Sequence, residues 1–69
     1  MSDLDDRLLA AHARDDRPAL VDLYAEAADQ ANTVDAACFF LTHAYIYGLE
    51  LNHPRVPELR DRLAAEDRV

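Results

Sequence analysis

Few side chains in this chain could do chemistry. Cys38, the one thiol, lies on the same stretch as the imidazole of His43. A thiolate beside an imidazole makes a nucleophile and base only when the two groups can meet. Five positions along a helix turn them ~140° apart, so they share no face. Cys38 therefore reads as a small core residue. His12, His43 and His53 are scattered, and none has an i+4 histidine or carboxylate on its own helix, the spacing a helical metal site needs. The single glycine, Gly48, follows no strand and makes no phosphate loop, and Ser2 is the only serine. No catalytic, cofactor-binding or metal-ligating residue is assigned, and no enzyme activity is expected. What remains is aromatic: Tyr24, Phe39, Phe40, Tyr45 and Tyr47, four of them on one stretch.

That stretch, 34–51, VDAACFFLTHAYIYGLEL, is apolar almost all round and broken only by Thr42, His43 and Gly48 between its two acids. Such a helix must be covered nearly all round, which makes it the expected centre of the fold. Phe39 and Tyr47 cannot both face the side that holds Leu41, Ala44 and Tyr45. One aromatic side is thus either core under the other helices or an interface.

The neighbouring segments carry helix signals of their own. Ser2 and Asp5 have capping-box spacing, Asp3, Asp5 and Asp6 suit a positive helix end, and Leu4, Leu8 and Ala11 make one face. Asp16 and Pro18 open a second helix with Leu20, Tyr24, Ala27 and Ala31 on one stripe, flanked by Leu23 and Ala28. Asn32 suits a left-handed helix end and Thr33 an N-cap. Asn52-His53-Pro54 stops the third helix, and Val56, Leu59 and Leu63 draw a narrow apolar line along a fourth. The expected elements are helices over about 3–14, 17–31, 34–51 and 57–67 in one domain spanning 1–69. With no strand pattern and short connections, the fold class is all-α, four antiparallel helices.

A chain of 69 residues has a marginal core, and one cysteine rules out an internal disulfide. Fourteen acids oppose seven arginines, with no lysine, for a net charge of −7. That balance argues against nucleic acid and against anionic membrane surfaces, which draw basic patches. The acidic N-terminus lacks a secretory pattern and the apolar stretch is too short and too broken to span a bilayer, so a soluble cytoplasmic protein is expected.

Leu23-Tyr24-Ala25-Glu26-Ala27-Ala28-Asp29-Gln30 resembles the end of a Sel-like repeat. Leu41 to Leu51, LTHAYIYGLEL, is similar to that family's first-helix core, with Thr42 and Glu50 standing where the pattern has glycine. Leu59 to Glu66 is again similar to its closing helix. From Ala27 to Ala64, the starts of two Ala-Ala-acid runs, is 37 residues, close to one tetratricopeptide-like repeat. The resemblance covers roughly residues 20–66. It implies tetratricopeptide-like helical hairpins and a scaffold or adaptor role, with no catalytic residues to carry over.

Repeats of this kind stack on neighbours, and the chain holds fewer than two. The expected function is a small protein–protein interaction module that associates with itself, the homodimer meeting through Leu8, Leu9, Phe39, Phe40, Ile46 or Tyr47. The rival is a small regulator that binds a ligand or metal through the Tyr/His cluster of the central helix.

Overall fold

The computed structural model describes residues 3–69; the expected capping residue Ser2 lies outside them. It contains α1 (Asp3–Ala13), α2 (Arg17–Gln30), α3 (Val34–Leu51) and α4 (Val56–Ala65), with no strand among the described residues. The chain is all-helical, as expected. Each helix packs on the next, and the α2–α3 pair makes the largest contact.

Local chemistry sets the starts. Asp16 accepts a hydrogen bond from the Ala19 N–H at 3.3 Å, and Thr33 Oγ1 accepts one from Ala36 N–H at 3.1 Å. Both satisfy donors that the first helical turn leaves unpaired. Three of the four ends follow one device. Asp15, Asn52 and Asp67 adopt left-handed φ values of 52°, 53° and 60°. At each, two successive N–H groups fold back on the last turn: Asp15 and Asp16 on His12 and Ala11, Asn52 and His53 on Leu49 and Gly48, Asp67 and Arg68 on Ala64 and Leu63. This is the Schellman closure, made without glycine because Asn and Asp tolerate the left-handed region best after it.

Two expected details are corrected. Asn32 is not left-handed; α2 ends at Gln30 and Ala31 is extended (φ −68°, ψ 145°). The fourth helix runs from Val56 to Ala65 rather than over 57–67, because the Schellman closure at Asp67 ends it early. The first, expected to end at Ala13 or Arg14, stops at Ala13 with the same closure at Asp15.

The core is built from Val21, Ala25 and Ala28 of α2, Cys38, Leu41 and Ala44 of α3, and Leu59 and Leu63 of α4. Leu4 and Ala11 of α1 are buried too. The buried face of α2 is wider than the expected stripe: Leu20, Ala27 and the flanking Ala28 are buried as expected, Val21 and Ala25 are buried with them, and Leu23, Tyr24 and Ala31 are half-buried. Packing between α2 and α3 rests on small residues, which let helices approach closely. The Cα atoms span 32 × 28 × 12 Å. In a body this thin no helix is enclosed, since layers of helices lie ~8–10 Å apart. The expectation that α3 is covered nearly all round fails for this reason.

Gly48 of α3 lies close against the start of α4. A Cβ there would stand 2.9 Å from Val56 Cγ2. Alanine brings about 1 kcal/mol of helix propensity, but overpacking against a stiff, branched side chain costs about 1–3 kcal/mol. Gly48→Ala is expected to destabilise the protein by about 1 kcal/mol. A urea melt checks it: the loss should shrink in a Val56→Ala background, and a stabilised single variant would mean that the two helices separate freely.

Candidate functional site

Two features of the surface stand out, an aromatic belt and an exposed apolar stripe, and α3 carries part of each. Tyr24 of α2 is the hub of the belt. Its ring stacks on His43 at 5.1 Å and on Tyr47 at 5.9 Å between centroids, and meets Phe40 at 6.3 Å. On the other side it packs edge-on against His12 of α1, whose Nε2 lies 2.9 Å from the Tyr24 hydroxyl. One tyrosine thereby ties α1, α2 and α3 together. Burial raises the Tyr24 pKa above its ordinary value, with Tyr47 adding to the effect.

Three polar atoms of the belt are engaged locally: His43 Nδ1, His12 Nε2 and the Tyr24 hydroxyl. His43 Nδ1 lies 2.9 Å from the Phe39 carbonyl, which can only accept, so Nδ1 carries the proton. His12 is engaged with Tyr24. His43 and Tyr47, one turn apart on α3, each stack on Tyr24. Cys38 is a free, buried thiol, and His43 lines the same open groove. Among the described residues no group of three His, Cys, Asp or Glu could hold a metal, and no helix is long and apolar enough to cross a membrane.

The candidate interface residues divide. Leu8, Phe40 and Tyr47 are half-buried, the two aromatics against the core. Leu9 is 63% exposed, Phe39 59% and Ile46 52%. Sequence reasoning left out Leu49, 54% exposed on the same side of α3. Its signal was present: Phe39, Thr42, Ile46 and Leu49 are spaced 3, 4 and 3, the a/d spacing of a helix-pairing seam.

Beside the seam lies an open groove of about 480 Å³, lined by Asp35, Cys38, Phe39, Thr42, His43 and Arg68. The residues after α4 close one end of it, where Arg68 donates to Asp35. At the opposite end of α3, Glu50 faces Arg17 at 3.7 Å.

Elsewhere the arginines hold acids across helices. Arg7 donates to Glu26, a bond that keeps the Glu26 carboxyl below its usual pKa. Arg55 donates to Glu58 and to Asp22, and both bonds raise its own pKa. Asp22–Arg55, Asp29–Arg62 and Asp35–Arg68 are each 33 residues apart. Exposed pairs add little stability, about 0–1 kcal/mol each, but they report register.

The fold and surface thus describe a small all-helical chain with an apolar stripe left open on its longest helix. No family model matches the chain, and neither a curated protein nor a solved structure shows significant similarity to it.

Proposed function

We propose that this chain is a small, non-enzymatic protein–protein interaction module of tetratricopeptide-like (Sel-like) helical hairpins that associates with itself. The observation that carries the reading is the exposed stripe of Phe39, Ile46 and Leu49 on α3. Large apolar side chains clustered on one side of a small domain are the usual mark of a protein contact.

The hairpin geometry draws support from the cross-helix pairs. Arg7–Glu26 and His12–Tyr24 join α1 and α2 in opposite directions, as Arg17–Glu50 and Tyr24–His43 do for α2 and α3. Asp22–Arg55 and Asp29–Arg62 step together along α2 and α4, as in alternate helices of a repeat stack. The two Ala-Ala-acid runs lend no such support, since Ala27 and Ala28 are buried while Ala64 and Ala65 are exposed. A reducing, cytoplasmic setting suits the free Cys38 thiol.

The ligand or metal reading of the Tyr/His cluster draws less support, because one ring nitrogen of each histidine is engaged, His12 Nε2 with Tyr24 and His43 Nδ1 with the Phe39 carbonyl.

Sedimentation equilibrium over a tenfold range around ~10 μM tests self-association, which must follow mass action. A monomer–dimer equilibrium is the expected result. A monomer throughout, with a melting temperature independent of concentration, removes it.

A further inference from the structure

We propose that a second copy of the chain docks antiparallel along α3, each Leu49 seated in the other copy's groove between Asp35, Cys38, Phe39 and Thr42. The proposal rests on the self-association reading and adds the contact and its direction.

The spacing comes first. Asp35, Phe39, Thr42, Ile46 and Leu49 follow intervals of 4, 3, 4 and 3. A stripe with that period keeps facing one partner helix along its whole length. Seams of this kind close when a knob enters a hole bounded by four residues of the facing helix. Asp35, Cys38, Phe39 and Thr42 stand at i, i+3, i+4 and i+7, which is the outline of one such hole, and all four line the 480 Å³ groove. The groove is thus a vacant receptor for an apolar knob.

Its walls suit one. The Thr42 hydroxyl donates to the Cys38 carbonyl at 2.8 Å, and His43 Nδ1 donates to the Phe39 carbonyl. An apolar side chain seated there would strand neither donor.

Direction follows from charge. The seam is bracketed by two ion pairs, Asp35 with Arg68 at one end and Glu50 with Arg17 at the other. Parallel copies would set Asp35 beside Asp35 and Glu50 beside Glu50. Antiparallel copies bring the Arg17–Glu50 end of one to the Asp35–Arg68 end of the other, so each arginine faces a new acid. Asp15 also holds Arg17, at 3.3 Å, so the two ends together carry three acids and two arginines, close to neutral on a chain of net charge −7. In antiparallel pairing an a position faces a d position. Phe39 then lies opposite the second copy's Leu49, and Thr42 opposite its Ile46. That register places Leu49 over the groove, and two-fold symmetry repeats the contact.

Three variants test it. Ile46→Lys removes a central apolar residue and lowers the net negative charge, so weaker association cannot come from added repulsion. It should weaken the dimer at least about tenfold, and Leu49→Ala should do likewise, as truncation of a side chain that fills a pocket on the partner does. Both should leave the melt of the dilute monomer unchanged. Next, Thr42→Cys and Ile46→Cys chains are mixed in a Cys38→Ala background under mild oxidation. The mixed disulfide between the two chains should form in preference to either homodisulfide. A dimer that ignores Ile46→Lys and Leu49→Ala overturns the proposed seam while leaving self-association standing. Dominant homodisulfides overturn the antiparallel register. A wild-type monomer across the concentration range overturns both readings.

Discussion

Leu41→Ala is expected to lower stability by about 2–5 kcal/mol, in the upper half of that range. Leu41 is 3% exposed and stands in the cluster that joins α2, α3 and α4. The loss has two parts, the transfer energy of the missing methyl groups and the cavity they leave. How far the cavity closes depends on the neighbours. Ala25, Ala28 and Ala44 are too short to swing into it, and Leu59 and Leu63 are already fully buried. A chain of this length has roughly 3–10 kcal/mol in total at typical per-residue values. The variant should be largely unfolded at 37 °C by far-ultraviolet circular dichroism. Leu9→Ala, truncating an exposed leucine of α1, is the control and should fall within about 0.5 kcal/mol of wild type. If Leu41→Ala melts like the control, α3 is not the centre of the core.

The helices were legible because their ends are written in local chemistry. Asp16, Thr33 and Asn52-His53-Pro54 act on their own neighbours, so their meaning survives without a fold. The face of α2 was legible only in part: Leu20, Ala27 and Ala28 were placed on its buried side, but Val21 and Ala25 give little contrast against larger residues nearby. Large side chains such as Tyr24 draw the eye, yet close helix contact selects small ones. The exposure of Phe39, Ile46 and Leu49 depends on how many layers the chain builds, which no window of sequence contains. The groove depends on Arg68, which lies beyond the last helix and carries no periodic signal. The pairs at a constant separation of 33 mean something only once α2 and α4 are placed.

Tyr24→Ala is the second large expected effect, about 2–4 kcal/mol, somewhat below the ~3–5 kcal/mol of a fully buried aromatic because Tyr24 is half-buried. Its ring meets Phe40, His43 and Tyr47 of α3 and His12 of α1, so its removal loosens α1 as well as leaving a gap. Tyr24→Phe keeps the ring and loses only the hydrogen bond to His12, an exposed contact that contributes about 1 kcal/mol or less. The two variants also separate on pH. Burial raises the Tyr24 pKa in the folded state, while the unfolded chain keeps the ordinary value of about 10. A group whose folded pKa is raised contributes stability that is complete below the unfolded value. That contribution is lost as pH rises through the folded value, because the buried ring then has to hold a charge. Stability should therefore decline on the alkaline side of pH ~10, and Tyr24→Phe, with nothing to ionise at that position, should decline less steeply. Urea melts at pH 7 and along an alkaline series measure both effects. A Tyr24→Ala variant within about 0.5 kcal/mol of wild type would mean that the rings merely lie side by side, and that α1 is held by Leu4, Ala11 and the Arg7–Glu26 pair.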